Sequence, residues 1–147
     1  MRGVLCIDGG SVRIGLAASD PTGTLASPVA VLDRSDPASL WDRVRAEAEL
    51  RDADRIVVGL PLNLDGSEGA AAVAARGLAE EAHRRTGLPV ELYDERLSTV
   101  EAERSLIAGG VRRRDRRGRV DAVAASVVLQ SWLDRARLRR RDDGKRA

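Results

Sequence analysis

Residues 4–19 read VLCIDGGSVRIGLAAS, and this stretch decides the fold. A compact apolar run from Val4 to Asp8 is followed by Gly9-Gly10, and an alternating segment runs from Arg13 to Ser19. The apolar positions of that second segment share one face: Ile14, Leu16 and Ala18. Two apolar segments separated by a glycine turn are typical of antiparallel strands. We therefore predict a β-hairpin in which Asp8 ends the first strand.

Strands and helices alternate along the remainder of the chain. Capping residues, prolines and glycines mark where the helices begin and end. In chain order we predict a strand from Val29 to Leu32, a helix from Ser35-Asp36-Pro37 to about Arg51, a strand from Ile56 to Gly59 that is too apolar for an edge, a helix from about Ser67 to Thr86, a strand from Val90 to Tyr93, a helix from Ser98 to about Gly109-Gly110, and a last helix from about Gly118 to beyond Trp132. The order βββαβαβα describes an α/β protein with a mixed five-stranded sheet flanked by helices.

Length and composition indicate one domain. With 147 residues, 43% of them hydrophobic, the chain can close a single core. We assign residues 1–138 to this domain and expect the basic segment 139–147 to be a disordered tail. No stretch approaches the ~20 apolar residues that cross a bilayer, and the N-terminus enters a strand directly, so we expect a cytoplasmic protein. Cys6, the single cysteine, is predicted to pack as a small hydrophobic residue.

Arginine is concentrated in two segments, although the net charge is only +2. One cluster lies between residues 112 and 119, and the other closes the chain. Clustered cations favour polyanions such as nucleic acids, and we take Arg112, Arg113 and Arg114 as candidate nucleic-acid contacts. The alternative is a solvated loop and tail. With 2% aromatic residues, the chain lacks the stacking platform typical of single-strand binders.

Three acids stand where strands end or a helix begins. Asp8 ends the first strand, Glu95 follows the fifth, and Asp121 is predicted in the first turn of the last helix. Sites in α/β sheets gather at strand ends, so the fold could bring these carboxylates together. Each also has an ordinary explanation: a turn residue, a solvated strand end, and an acid favoured by the helix dipole.

Four segments together resemble the YqgF/RuvX family of RNase H-like proteins, which is related in fold to Holliday junction resolvases. The segments occur in the family's order and span nearly the whole chain to Leu133. They are IDGGSVRIGLAASD at 7–20, VVGLPLNLDGS at 57–67, DERLSTVEA at 94–102 and VDAVAA at 120–125. The chain departs from the family pattern at Gly9, Val12, Ser98 and Arg119, and none of these is one of the three acids.

The resemblance implies a metal-dependent nuclease that processes the 5′ end of pre-16S rRNA in ribosome biogenesis. Holliday junction resolution in DNA recombination and repair is the competing assignment. Asp8, Glu95 and Asp121 would then be both catalytic residues and ligands of Mg²⁺, with Mn²⁺ able to substitute and two ions expected. This chemistry suits the residue types, because magnesium takes carboxylate oxygens, neutralises a phosphodiester and activates water.

Residues beside the acids are secondary candidates. Arg13 and Arg96 could each grip a phosphate, or could form salt bridges that order a neighbouring carboxylate. The polar residues of the second motif, which are Asn63, Asp65 and Ser67, fit ordinary turn and capping chemistry as well as a substrate loop. His83 has no cysteine or second histidine nearby, so we interpret it as a surface residue and not a zinc ligand.

Other function classes remain open from the residues alone. A non-catalytic nucleic-acid-binding module would need the arginines and not the acids. A nucleotide-binding domain of the sugar kinase and actin type shares the strand-turn-strand motif, but 147 residues leave no room for a second lobe. RNA and DNA substrates are both open, because that choice depends on loop shape. A monomer suits end trimming, and a homodimer suits junction resolution.

Overall fold

The structure, a computed structural model, describes residues 2–99 and 113–146, and the side chains of the last helix from Ala122 to Gly144. Its elements, in chain order, are β1 (Gly3–Gly9), β2 (Arg13–Ser19), β3 (Ala26–Asp33), α1 (Pro37–Leu50), β4 (Ala53–Leu60), α2 (Ala70–Thr86), β5 (Val90–Asp94), a 3-10 turn (Glu95–Leu97) and α3 (Arg113–Arg146). The predicted α/β class is confirmed. The helix predicted from Ser98 to Gly109-Gly110 falls mainly outside the described residues.

The five strands form one mixed sheet in the order β3-β2-β1-β4-β5. The predicted hairpin is confirmed: β1 and β2 are antiparallel, Asp8 lies opposite Gly15, and the amide of Gly10 donates to the carbonyl of Arg13 at 2.8 Å. β3 continues the antiparallel side, whereas β1, β4 and β5 are parallel neighbours. β4 is an interior strand, as its apolar sequence predicts.

Helices cover both faces of the sheet because side chains alternate along each strand. On one face α1 and α2 pack over a cluster that includes Leu5, Ile7 and Trp41. On the other face α3 packs over Val4, Cys6, Ala17 and Val57, using small and apolar residues up to Trp132 and Leu133. Both tryptophans are buried between a helix and the sheet. Cys6 is buried, as predicted.

β3 begins at Ala26, three residues earlier than the predicted Val29. The side chain of Gln130 in α3 accepts from the amide of Ala26 at 2.9 Å and donates to the carbonyl of Thr24 at 2.9 Å. Pro28 is tolerated because β3 is an edge strand, and the pairing with β2 shifts register beside it. Pairing with Ser19 of β2 extends the strand to Ala26, and Gln130, 104 residues away along the chain, bonds to the same residue.

The start of α3 differs from the sequence prediction, whereas the helix continues beyond Trp132 as predicted. The helix begins at Arg113, not near Gly118, so Asp121 lies more than two turns into it and not in its first turn. One glycine inside a run of arginines costs about 1 kcal/mol, which the helix tolerates. α3 also continues to Arg146, through the segment expected to be a disordered tail, because that segment contains no proline and is rich in arginine.

α2 begins at Ala70 and not at Ser67, because Ser67 closes the loop that precedes the helix. Across the part of the chain that the structure describes, no helix is both long and apolar enough to cross a membrane.

Candidate active site

Two buried carboxylates lie at the carboxyl ends of two strands from the parallel part of the sheet. Asp8 is near the end of β1 and Glu95 directly follows β5, with β4 between them. Their exposed fractions are only 4% and 6%. Asp8 follows Cys6 by two residues, so its side chain lies on the sheet face that α3 covers. The structure therefore brings together two of the three acids predicted from the sequence.

Gly59, in β4, lies directly beneath this pair. A Cβ atom built on Gly59 would be 2.6 Å from Oε1 of Glu95 and 3.0 Å from Oδ1 of Asp8. The two oxygens are therefore no farther apart than the sum of these distances. Two carboxylates this close and this buried are a donor set suited to a hard divalent cation, which takes oxygen ligands at about 2 Å. The geometry fits the magnesium expected from the sequence.

Hydrogen bonds fix the backbone around Glu95. Oδ1 of Asp94 caps the 3-10 turn by accepting from the amide of Arg96 at 2.9 Å. The carbonyl of Glu95 accepts from the amide of Ser98 at 3.0 Å and from its hydroxyl at 2.8 Å. The backbone is thus fixed by hydrogen bonds both before and after Glu95. Sequence reasoning missed the positioning role of Asp94, although an acid directly before a helical turn is a capping signal.

Arg96 forms the salt bridge that the sequence analysis considered as an alternative to phosphate binding. Its Nη2 lies 2.8 Å from Oδ2 of Asp94, and its Nε lies 3.1 Å from both carboxylate oxygens. Hydrogen bonding from Arg96 lowers the pKa of Asp94. Nη1 also donates to the carbonyl of Leu64 at 3.3 Å. Arg96 therefore joins the end of β5 to the loop after β4.

The loop after β4 is closed by its own polar groups. The amide of Asn63 donates to the carbonyl of Ser67 at 3.0 Å, and Nδ2 of Asn63 donates to the Ser67 hydroxyl at 2.9 Å. Oδ1 of Asp65 accepts from the amide of Ser67 at 2.9 Å. The pKa of Asp65 is lowered by the hydrogen bonds from Ser67. The turn-chemistry interpretation of these three residues is confirmed.

Arg13 occupies a different position from Arg96. It is the first residue of β2 and shares a sheet face with Ala17, which packs beneath α3. Its side chain therefore lies on the same face, and at the same end of the β1–β2 hairpin, as Asp8. Asp33 of β3 lies opposite Arg13, and its pKa is lowered by hydrogen bonds from Ser35 and, to a lesser degree, by the charge of Arg13. No direct hydrogen bond or salt bridge joins the Arg13 side chain to any residue that the structure describes. It is partly exposed.

The third acid lies on a helix that covers the same face of the sheet. Asp121 is part of α3, but its side chain is outside the described set. The next buried residues of α3 include Ala124 and Ala125, which pack in one cluster with Cys6. Among the described side chains there is no group of three metal-binding residues. Arg112 lies outside the described residues, as do the side chains of Arg113 and Arg114.

Cys6 is buried near the two acids, and His83 lies on the surface. Burial raises the pKa of the Cys6 thiol well above its usual range, and the negative charges of Asp8 and Glu95 raise it further, so the thiol is neutral at physiological pH. His83 is exposed on α2, and its Nδ1 lies 2.8 Å from the carbonyl of Leu88. His83 is therefore a surface residue, as predicted.

Comparisons with known proteins agree with this architecture. Residues 2–135 match the family described as "RuvX: Holliday junction resolvase". A protein of Anaeromyxobacter sp. (strain Fw109-5) is 50% identical over 130 residues, which cover 88% of this chain and 95% of that relative. A protein of Kineococcus radiotolerans is 52% identical over 136 residues, which cover 90% of this chain and 72% of that relative. Both relatives carry the name "Putative pre-16S rRNA nuclease".

A solved structure of T. thermophilus RuvC in complex with a Holliday junction substrate has the same fold. The TM-score is 0.56 at 17% sequence identity, with 94% of this chain and 96% of that chain covered. The mixed sheet, its strand order and the likeness to RuvC define an RNase H-like fold of the resolvase type. Because the family match spans almost the whole described domain, the chain belongs to the RuvX family.

Proposed function

We propose that this protein is a metal-dependent nuclease that hydrolyses phosphodiester bonds of nucleic acid at Asp8, Glu95 and Asp121. The observation that carries the proposal is the convergence of the buried Asp8 and Glu95 carboxylates over Gly59. Membership of the RuvX family, whose description is a resolvase, and close relatives named as nucleases support the same chemistry. We expect two Mg²⁺ ions, with Mn²⁺ able to substitute.

The chain's own residues would do three things in this reaction. Asp8 would be the central ligand, and it lies near the end of β1, the middle strand of the five-stranded sheet. Glu95 flanks it, held by the hydrogen bonds to its carbonyl. Bound Mg²⁺ supplies the positive charge that neutralises the phosphate and lowers the pKa of a water nucleophile. Burial of both acids strengthens every electrostatic interaction in the site.

Asp121 is our proposed third ligand. Its motif resembles the family pattern, and the helix that carries it packs through Ala124 and Ala125 onto the sheet face of Asp8. Small residues at this point of α3 allow the helix to lie close to the sheet. A carboxylate one turn earlier on that helix would complete a three-acid site and orient the attacking water.

The substrate we propose is the 5′ end of pre-16S rRNA, processed in the cytoplasm during ribosome biogenesis. The names of the relatives that are 50% and 52% identical support this choice. Arg13, at the same end of the hairpin as Asp8, is our first candidate for a phosphate contact, followed by Arg96 and the cluster Arg112, Arg113 and Arg114. One active site is enough to trim an end, so a monomer suffices.

Holliday junction resolution is the second candidate, because the matched family is described as a resolvase. This reaction cuts two strands at related positions, so it calls for a homodimer with two sites facing one junction. The RuvC likeness supports only the fold, since its sequence identity is 17%.

The test compares cleavage of a precursor 16S rRNA 5′ fragment and a four-way DNA junction by the same protein, with Mg²⁺ and with EDTA. We expect Mg²⁺-dependent cleavage of the RNA that falls at least about 10³-fold in Asp8→Asn, because the central ligand loses its charge. Asp36→Asn, which changes a helix cap on α1, is the matched control and should cleave normally. Preferential junction cleavage would favour the second candidate.

Cleavage that survives in Asp8→Asn would contradict the proposed nuclease site. Tight binding of both substrates without cleavage, unchanged by EDTA and by Asp121→Ala, would identify a non-catalytic binding module instead.

A further inference from the structure

We infer that Gly59 is a positioning residue of the cation site, because the absence of a side chain there is what allows Asp8 and Glu95 to meet. The inference rests on the proposed function, since it concerns the cations that these carboxylates would hold. Gly59 lies in β4, between the strands that lead to the two acids, and pairs with Tyr93 of β5.

The space above Gly59 is already filled by the two carboxylates. A Cβ atom would lie 2.6 Å from Oε1 and 3.3 Å from Cδ of Glu95, and 3.0 Å from Oδ1 of Asp8. Ordinary van der Waals contact begins at 3.4 Å, so Oε1 would have to retreat by more than half an ångström. Metal–ligand distances tolerate only about 0.2 Å, so this retreat would disrupt coordination.

The backbone gives no other reason for glycine at this position. The left-handed glycines that the structure describes are Gly23, Gly66 and Gly87, and Gly59 is not one of them. Gly59 lies inside a regular strand, where alanine is at least as favourable as glycine. Space for the carboxylates, and not chain conformation, is therefore the requirement.

The atom that must move is the tip of a flexible side chain. Gly3 provides the contrast: a Cβ there would lie 2.5 Å from the backbone oxygen of Arg51, so the chain itself would have to shift. At Gly59 the displaced group is the Glu95 carboxylate. Gly59→Ala should therefore preserve the fold and damage the cation site, whereas Gly3→Ala should damage the fold.

The experiment titrates Mn²⁺ into the metal-free protein by calorimetry and records thermal unfolding without metal. For Gly59→Ala we expect Kd for Mn²⁺ to rise about 10- to 100-fold, the range seen when groups that orient metal ligands are changed. The metal-free Tm should be unchanged or higher. Gly77→Ala in α2 is the matched control, because apart from its chain neighbours and its own helix backbone no atom lies within 4 Å of a Cβ there, and its Kd should equal that of the wild type.

A double variant tests whether the effect passes through Glu95. If Gly59→Ala acts by displacing that carboxylate, then combining it with Glu95→Gln should weaken Mn²⁺ binding no more than Glu95→Gln alone. Additive losses would contradict the inference, and so would unfolding of metal-free Gly59→Ala.

Failure of the inference is distinguishable from failure of the proposed function. If the wild type binds Mn²⁺, Asp8→Asn does not, and Gly59→Ala binds like the wild type, then the role of Gly59 is wrong and the cation site stands. If the wild type binds no Mn²⁺, or Asp8→Asn binds it equally well, the proposed site itself is wrong.

Discussion

Asp94 and Arg96 lie on either side of Glu95 and hold its backbone in place, although we do not propose either of them as a metal ligand. Asp94 caps the 3-10 turn and pairs with Arg96, and Arg96 in turn bonds the carbonyl of Leu64. This small network positions Glu95, the residue between them, through the backbone. The sequence motif indicated that the segment matters, but only the structure separates the acid at the site from the acid that supports it.

Arg13 and Arg96 have different environments, which predicts different behaviour. The Arg96 guanidinium donates hydrogen bonds to Asp94 and to the carbonyl of Leu64. The Arg13 side chain, in contrast, lies on the same sheet face as Asp8 and is partly exposed. We predict that Arg13→Gln weakens RNA binding. It should also reduce the slope of log K against log salt by about 1, which is the value for the loss of one phosphate contact. Binding is measured in an Asp8→Asn background, which prevents cleavage.

Arg45→Gln is the control for that experiment. Arg45 pairs with Asp42 and donates to the carbonyl of Arg85 at 2.9 Å, on the helix layer that covers the opposite face of the sheet. Its substitution should leave the salt slope unchanged. Equal slopes for the wild type and Arg13→Gln would show that Arg13 contacts no phosphate.

At the scale of elements, local sequence patterns predicted the bounds of a strand correctly where no distant contact changes them. The β1–β2 hairpin follows from apolar alternation around a glycine turn, and the observed β2 has the predicted bounds. β3 begins earlier than predicted because Gln130 bonds to Ala26, a contact that no local window contains. α2 begins later because Ser67 bonds within the loop. The first error therefore comes from a long-range hydrogen bond, and the second from local hydrogen bonds within the loop that compete with helix capping.

The turn between β2 and β3 predicts a pH-dependent contribution to stability. Hydrogen bonds from the Thr22 hydroxyl and from the amides of Leu25 and Thr24 lower the pKa of Asp20 from 3.8 to about 2. A carboxylate whose pKa is lower in the folded state stabilises the fold above its unfolded pKa, and this contribution is lost as the pH falls through the folded value. The loss should therefore fall between about pH 4 and pH 2.

Asp20→Asn removes this titration. We predict that the variant is less stable than the wild type at pH 5 and that the difference shrinks toward pH 2, as measured by urea unfolding midpoints. Other acids titrate equally in both proteins, so the comparison isolates Asp20. Parallel pH profiles for the two proteins would contradict the assignment.

At the scale of the whole molecule, the sheet order places the site. β1 and β4 are parallel neighbours from which the chain proceeds in opposite directions, to β2 on one side and to β5 on the other. Ligand sites of α/β sheets lie at such switch points, outside the carboxyl ends of the strands. Asp8, Gly59 and Glu95 all lie there.

The candidate site could be predicted only in part from the sequence. Asp8 and Glu95 are 87 positions apart, and no spacing rule joins them, so the sheet order and the family resemblance had to supply their proximity. Gly59 could not be recognised, because a glycine at the end of an apolar strand looks like any other until its neighbours are known. The need for glycine at position 59 follows from the closeness of the Asp8 and Glu95 carboxylates, which only the folded structure shows.

The central claim is that Asp8 and Glu95 share divalent cations over Gly59. It is tested most directly by a crystal of the wild-type protein soaked in Mn²⁺, with diffraction recorded at a wavelength where manganese scatters anomalously. We predict an anomalous peak about 2 Å from carboxylate oxygens of both residues, and its loss in Asp8→Asn. Well-ordered Asp8 and Glu95 side chains with no peak between them, or manganese bound only elsewhere, would contradict the claim.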